Sequence, residues 1–165
     1  MAFAEKLYLD TNVFIAAFEN KNELSELLTN LFMVDAEKMR FATSELTLSE
    51  LLVMPYRTAD DAAIDLYEGM IQTSEWLELL PVGRQILSYA AVLRSQYPSL
   101  KLPDAIHVST AFAANCSHFL TGDTGLKGTY QIIHSRHGMV RRSKPLLVIR
   151  PDKTTLSGLL ENTAE

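Results

Sequence analysis

Four acidic residues, placed where strands end or helices begin, are the side chains in this sequence best suited to chemistry. Asp10 and Asp123 each follow a short apolar run, whereas Glu50 and Asp104 lie in the first turns of predicted helices. In an open α/β sheet, the carboxyl ends of distant strands meet at one edge, and ligands bind there. Grouped carboxylates repel one another unless a cation neutralises them, and Mg²⁺ and Mn²⁺ prefer oxygen ligands. The pattern therefore predicts a metal-dependent acidic site suited to phosphate chemistry.

Length and composition are those of one globular domain. At 165 residues, with 47% hydrophobic and 21% charged residues, the chain is long enough to bury a core. Residues 1–6 lack a basic start followed by a long apolar stretch, so we expect no signal peptide. No run reaches the length of a membrane span, so we expect no membrane partner. Cys116 is the single cysteine, which excludes an internal disulfide and fits a cytoplasmic protein.

Positive charge is concentrated late in the chain, although the net charge is −5. Between residues 124 and 151 there are six Lys and Arg and no Asp or Glu. A phosphate-rich ligand responds to the local field more than to the total charge. Two interpretations remain open for this stretch, namely a surface that binds a polyanion and a solvated loop that lacks acids.

Strand and helix patterns alternate along the chain, which predicts an α/β fold with a mostly parallel sheet. Strands are predicted at 6–9, 40–42, 76–82, 119–121 and 146–149, with a further short one at 131–134. Helices are predicted at 12–18, 22–32, 46–54, 59–74, 84–97, from Pro103 onward and at 156–160. Asn12 and Asn22 are candidate helix caps, Pro55 is expected to stop the third helix, and strand 76–82 is expected to be buried on both faces. The predicted domain covers 1–151, followed by a C-terminal tail at 152–165.

Four fragments carry a resemblance to a known family. They are Leu7-Tyr8-Leu9-Asp10-Thr11-Asn12, Ser49-Glu50-Leu51-Leu52, Leu102-Pro103-Asp104-Ala105-Ile106-His107 and Phe119-Leu120-Thr121-Gly122-Asp123. In order and approximate spacing they resemble the PIN-domain ribonucleases, and among these the prokaryotic toxins of VapC type. The resemblance covers residues 6–149. It departs from the family pattern at Gly122, where a polar residue is frequent, so we expect one site contact to be lost and the loop to be looser.

The resemblance implies a three-layer α/β/α sandwich and one or two Mg²⁺ or Mn²⁺ ions at the acidic cluster. It also implies hydrolysis of RNA by metal-activated water, a separately encoded antitoxin that blocks the site, and a homodimer. Asp10, Asp104 and Asp123 are then the candidate metal ligands and catalytic residues. Glu50 is a fourth, either as a ligand or as the group that orients the attacking water. We expect products with a 5′-phosphate and a 3′-hydroxyl.

Several supporting residues keep two interpretations open. Asn12 and Thr121 match polar residues that border the family's site, but they also suit a helix cap and a strand end. His107, three residues after Asp104, is either a group that supports the site or a histidine packed between helices. The candidate RNA-binding residues of the basic stretch are Arg136, Arg141, Arg142 and Lys144.

Two other functions fit parts of the sequence. A phosphatase of the haloacid-dehalogenase type also uses a strand-end Asp, but a second Asp usually follows two residues later, where this chain has Asn12. A catalytically silent RNA- or protein-binding module would keep the fold, yet all four acids are present, and loss of one would be the sign of silence. Metal-dependent RNA cleavage separates the nuclease from the silent module, and turnover of a small phosphate ester would indicate the phosphatase.

Overall fold

A mostly parallel sheet forms the centre of the computed structural model, which describes residues 6–165. The strands are β1 (Lys6–Leu9), β2 (Arg40–Ser44), β3 (Leu77–Leu80), β4 (His118–Leu120), β5 (Thr129–Tyr130), β6 (Ile133–Arg136), β7 (Met139–Arg142) and β8 (Leu146–Ile149). Six of them form one sheet in the order β3-β2-β1-β4-β8-β5, and β6 pairs with β7 in a separate hairpin. The pairings from β3 to β8 are all parallel, whereas β5 runs antiparallel to β8.

Helices cover both faces of the sheet and complete the three-layer α/β/α sandwich. They are α1 (Thr11–Phe18), α2 (Glu23–Phe32), α3 (Glu45–Arg57), α4 (Asp61–Met70), α5 (Arg84–Gln96), α6 (Leu102–Ala113) and α7 (Lys153–Ala164). Successive side chains of a strand point to opposite faces. In β1, Leu7 and Leu9 therefore pack in the core with α1, α2, α4 and α7, whereas Tyr8 packs in the core with α5 and α6. The predicted fold class is confirmed.

Three predicted elements differ from the observed ones for identifiable reasons. Pro55 lies inside α3 and does not stop it, because the Thr58 N–H bonds the carbonyl of Met54 at 3.0 Å and closes the turn around the proline. The strand predicted at 76–82 is only four residues long and lies at the sheet edge, where Glu78 is exposed.

The C-terminal segment forms a longer helix than the predicted 156–160. Asp152 caps α7 by accepting a hydrogen bond from the Thr155 N–H at 2.7 Å. Leu156 and Leu159 are fully buried in the core that contains α2. The division between a nuclease domain and a tail after residue 151 stays a prediction.

The basic stretch contains a β-hairpin and is not an irregular loop. His137 and Gly138 both have positive φ, 51° and 74°, and connect Arg136 directly to Met139 across a two-residue turn. Such turns match the twist of the strands they join. Residues 1–5, where a signal peptide would begin, lie outside the described part of the chain. Over residues 6–165, no helix combines the length and apolarity needed to cross a membrane.

Candidate active site

Asp10 lies at the carboxyl edge of the sheet, between the ends of β1 and β4. Because these strands are parallel neighbours, Asp10 and Thr121, which follow them directly, lie side by side. The Thr121 hydroxyl donates to Asp10 Oδ2 at 2.7 Å, and Asn12 Nδ2 donates to the same oxygen at 3.1 Å. Asp10 Oδ1 accepts from the backbone N–H of Thr11 at 2.8 Å. Asp10 is only 5% exposed, so these bonds hold its carboxylate in one orientation.

Asp10 also caps α1, which corrects the expectation that Asn12 does so. A short side chain just before the first helical residue accepts a free N–H of the first turn, and Asp10 occupies that position. Asn12 lies inside the helix, and its Oδ1 accepts from the Gly122 N–H at 2.7 Å. A Cβ at position 122 would lie 3.3 Å from this oxygen, so glycine permits the close approach. The Gly122 backbone therefore ties the loop to Asn12, and the expected loosening of the loop stays a prediction.

Glu50 reaches the site from α3 and is held by two side chains. Its Oε1 accepts from the Thr11 hydroxyl at 2.9 Å and contacts His107 Nε2 at 2.5 Å. Burial alone would raise the pKa of Glu50, but the hydrogen bond and charge of His107 and the Thr11 hydroxyl outweigh it, so the pKa is lowered. Glu50 is therefore ionised at neutral pH.

His107 connects Glu50 to the core. Its Nδ1 lies 2.7 Å from the Tyr8 hydroxyl, and both rings are essentially inaccessible to solvent. Burial, followed by the charge of Asp10, raises the pKa of Tyr8 well above its usual value, so the phenol keeps its proton. When the His107 ring is neutral, these partners assign the tautomer in which Tyr8 donates to Nδ1 and Nε2 donates to Glu50. His107 is thus both buried between elements and bonded to the site.

Asp104, in the first turn of α6, feels the other carboxylates. Burial, followed by the charges of Asp10 and Asp123, raises the pKa of Asp104. Glu50 adds to this effect, whereas His107 opposes it. Four carboxylates therefore share one region, as the sequence pattern predicts.

Arg150 fixes the loop that carries Asp123. Its guanidinium donates to the carbonyls of Thr121 at 2.9 Å and Asp123 at 2.8 Å, and also to that of Leu126. Arg150 follows β8, the neighbour of β4, and so lies next to this loop. In the sequence, Arg150 is only one residue of the basic stretch. Its position beside the Asp123 loop follows from the pairing of β4 with β8, which no local pattern reveals.

The carboxylate oxygens of the site are of the type that binds a divalent cation, although the carboxylates are not arranged around one point. Within residues 6–165, no three Asp, Glu, His or Cys side chains stand together as a ready metal site. Asp123 is exposed, and its Oδ1 accepts from the Gly125 N–H at 2.8 Å. Carboxylate oxygens suit Mg²⁺ or Mn²⁺, and a cation would relieve the repulsion that raises the pKa of Asp104.

The candidate RNA-binding residues lie on or next to the hairpin, and their side chains are accessible to solvent. Arg136, Arg141, Arg142 and Lys144 are all exposed. The hairpin base is attached to the end of α5, where Gln96 accepts from the Ile133 N–H at 3.0 Å. This hydrogen bond attaches the basic hairpin to α5.

A parallel sheet between two helical layers, with acidic side chains at its carboxyl edge, defines an α/β protein with a strand-end acidic site. Residues 7–131 match the PIN domain model, and the chain belongs to the PIN domain family. The resemblance identified from the four motifs is thereby confirmed for the family.

Solved structures with a similar fold include a toxin–antitoxin complex. A toxin–antitoxin complex from Klebsiella pneumoniae shares 20% identity over 72% of this chain and 87% of that one, with a TM-score of 0.54. VapBC2 from Rickettsia felis, bound to a DNA fragment from its promoter, shares 18% identity over 72% and 88%, and FitAcB from Neisseria gonorrhoeae shares 20% over the same proportions. Both have TM-scores of 0.54. At these identities the likeness concerns the fold. No curated protein matches this sequence.

Proposed function

We propose that this chain is a Mg²⁺- or Mn²⁺-dependent endoribonuclease, and the toxin of a toxin–antitoxin pair of VapC type. The observation that carries the proposal is the geometry at the carboxyl edge of the sheet. Thr121 and Asn12 donate to the Asp10 carboxylate, and the Thr11 hydroxyl donates to Glu50. Membership of the PIN domain family supports nuclease activity. The toxin–antitoxin complexes among similar structures support the biological class.

In this proposal the acidic residues have two different roles, which are cation binding and proton transfer. When bound, a divalent cation would lower the pKa of water and stabilise charge on the phosphoryl group. Asp10, Asp104 and Asp123 would hold it. Glu50, kept ionised by His107, orients the attacking water and accepts its proton. The bond from water to phosphorus forms as the bond to the 3′ oxygen breaks, and that oxygen takes a proton from solvent. The products carry a 5′-phosphate and a 3′-hydroxyl.

Asn12 and Thr121 act in this proposal as supports for Asp10. Both donate to Asp10 Oδ2, so the other oxygen is the one turned toward the rest of the cluster. His107 Nε2 lies 3.8 Å from that second oxygen. Fixing one ligand of a metal site by hydrogen bonds lowers the reorganisation needed on binding, and loss of such support typically costs about 10- to 100-fold in activity.

A protein partner is supported by apolar side chains on the surface. The exposed apolar side chains of α3 and α4 include Val53, Met54, Tyr56 and Leu66, which are 45–63% exposed. Aromatic and Met side chains are enriched in protein interfaces. We propose that such surfaces serve an antitoxin and a second copy of this chain, within the cytoplasm. Light scattering on the purified chain, alone and with a co-expressed antitoxin, would give both stoichiometries.

The silent binding module is a second candidate because one observation favours it. The described carboxylates form no ready metal site, and Glu50 is bonded to His107. A phosphatase of the haloacid-dehalogenase type is less well supported. At the position of its second Asp, the Asn12 amide donates to Asp10 and cannot act as a general acid, because it does not ionise.

RNA cleavage by the purified chain tests the nuclease against both alternatives. Mixed structured RNAs are incubated with Mg²⁺ or Mn²⁺ and, in parallel, with EDTA. Asp10→Asn is expected to lower cleavage by at least about 100-fold, since it alters a ligand itself. Asp65→Asn, an exposed carboxylate on α4, is the matched control and should cleave as the parent does. Cleavage in EDTA, or equal cleavage by both variants, would refute the proposal, and turnover of a small phosphate ester without RNA cleavage would favour the phosphatase.

A further inference from the structure

A cavity lies between the hairpin and the helical layer formed by α5 and α6. Its volume is about 640 Å³, within the range of about 300–1,000 Å³ typical of small-ligand sites. Ile86 and Tyr89 of α5, Phe112 of α6 and Ile132 before the hairpin supply apolar walls. The family match ends at residue 131, so the hairpin wall is an addition beyond the matched region.

The hairpin wall carries positive charge. Arg141 and Arg142 line the cavity together with His134. His134 and Arg141 are directly paired across the hairpin, so their side chains share a face. Among the described residues that line the cavity, none is acidic. The cavity therefore suits a ligand that is both aromatic or apolar and anionic.

The cavity is built rigidly. The Tyr97 hydroxyl accepts from the Gln131 N–H at 3.0 Å, and Gln96 accepts from the Ile133 N–H at the same distance. The Ser143 hydroxyl accepts from the Ile132 N–H at 2.9 Å. These bonds fix the hairpin base against α5. Tyr89 packs edge-to-face on His134, with ring centroids 5.7 Å apart.

The cavity opens near the edge of the sheet that carries the acidic cluster. Leu80, the last residue of β3, lines it, and β3 lies two strands from β1. At a strand spacing of about 4.8 Å, the lateral offset from Asp10 is roughly 10 Å. Ser109 of α6 also lines the cavity, about 8 Å along the helix axis from Asp104 at a rise of 1.5 Å per residue. A stacked strand advances about 3.4 Å per nucleotide, so a separation of about 8–10 Å from the acidic cluster corresponds to about three nucleotides.

We propose that this cavity is a subsite for the single-stranded RNA that the acidic cluster cleaves. A base a few nucleotides from the cleaved bond stacks on Tyr89 and Phe112, while Arg141 and Arg142 bind the adjoining phosphates. Aromatic rings and arginines are the usual means of holding single strands. The inference rests on the proposed ribonuclease function, and it names where that enzyme holds its substrate.

RNA binding in EDTA, where metal-dependent cleavage is blocked, tests the subsite directly. The affinity of the full chain for a labelled pool of short single-stranded RNA is measured by fluorescence anisotropy over a range of salt concentrations. Arg141→Gln/Arg142→Gln is expected to weaken binding about 10-fold or more and to lower the salt slope by about 1.4, that is, about 0.7 for each lost phosphate contact. Tyr89→Leu is expected to weaken binding about 10-fold.

Matched controls separate the cavity from general effects of charge and fold. Lys21→Gln/Arg57→Gln removes two exposed charges elsewhere, and Met33→Ala truncates an exposed apolar side chain just after α2. Both should bind RNA as the parent does, and thermal unfolding should show every variant folded. Parental affinity and salt slope in the cavity variants would overturn the subsite. So would loss of binding to a poly-glutamate peptide with unchanged RNA binding, which would assign the cavity to an acidic protein partner.

Cleavage in Mg²⁺ distinguishes failure of the subsite from failure of the nuclease. If the parent cleaves RNA while the cavity variants bind as tightly as it does, the subsite is wrong and the nuclease stands. If the cavity variants lose binding but the parent never cleaves, the RNA-binding cavity is supported and the nuclease is refuted.

Discussion

Replacing His107 with phenylalanine tests whether this ring joins the core to the site as a hydrogen-bonded link. The variant keeps a ring of similar size but removes the partner of the Tyr8 hydroxyl, which is fully buried. A buried donor without a partner costs about 1–3 kcal/mol. Glu50 also loses a donor, but its side chain is 38% exposed, so water can replace the imidazole.

We therefore expect His107→Phe to lower the free energy of unfolding by about 2 kcal/mol. Tyr8→Phe should cost a similar amount, because it leaves Nδ1 of His107, 1% exposed, without its donor. In the double variant both partners are gone, so its cost should be about 1–2 kcal/mol smaller than the sum of the single costs. For a chain of this size, each single variant should lower Tm by about 4–8 °C.

Urea unfolding followed by the fluorescence of Trp76, the single tryptophan, measures these changes. Tyr56→Phe is the matched control, since its side chain is 63% exposed and should lose almost nothing. If the losses in unfolding free energy of the Tyr8 and His107 variants add within about 0.3–0.5 kcal/mol, the two side chains are not coupled by a stabilising hydrogen bond. RNA cleavage by His107→Phe should also fall by about 10- to 100-fold, because Glu50 loses the group that orients it.

Three other changes are expected from single groups. Arg150→Gln removes hydrogen bonds to three loop carbonyls and should lower the free energy of unfolding by about 2 kcal/mol, with Arg136→Gln, an exposed arginine, unchanged in the same urea titration. Burial raises the pKa of the Cys116 thiol to about 12, so a thiol reagent at pH 8 should modify the folded chain far more slowly than the urea-unfolded chain. Burial lowers the pKa of His118 below 6.5, so the unfolded chain binds more protons there and stability should fall as pH drops below 6.5. His118→Gln should flatten that part of the stability profile.

Each of these three expectations has an outcome that contradicts it. Equal urea midpoints for Arg150→Gln and Arg136→Gln would mean that the guanidinium does not hold the loop. Equal thiol reaction rates in the folded and unfolded chains would show that Cys116 is accessible. An unchanged pH profile in His118→Gln would assign the loss of stability in acid to other groups.

The elements that depend on neighbouring residues were predictable from the sequence. The strands at 6–9 and 146–149 match β1 and β8, and α5 ends within one residue of its predicted end. Apolar periodicity and a following proline determine such segments locally. The grouping of the four acids was predictable for the same reason, since it requires only parallel strands and helices that begin near their carboxyl ends.

The contacts between distant segments were not predictable from local patterns. The position of Arg150 depends on β8 lying next to β4, and the link from Tyr8 to His107 depends on how α6 crosses the sheet. Competition for the α1 cap is another case. Asn12 has good capping chemistry, but the helix begins one residue earlier because Asp10 occupies the end of a buried strand.

The hairpin could have been predicted, whereas its cavity could not. A His137-Gly138 pair between two short runs is suited to a two-residue turn with positive φ at both positions. The space beneath the hairpin depends on Gln96 and Tyr97, which fix it to a helix more than thirty residues earlier in the chain.

Binding of Mn²⁺ would show directly whether the acidic cluster holds a cation, since no three candidate ligands stand together among the described residues. Mn²⁺ bound to the purified chain is counted by electron paramagnetic resonance in the parent, Asp10→Asn, Asp104→Asn and the control Asp65→Asn. We expect binding in the parent and the control, and loss of binding in both cluster variants. Equal binding by all four proteins, or by none, would contradict a cation site at these carboxylates.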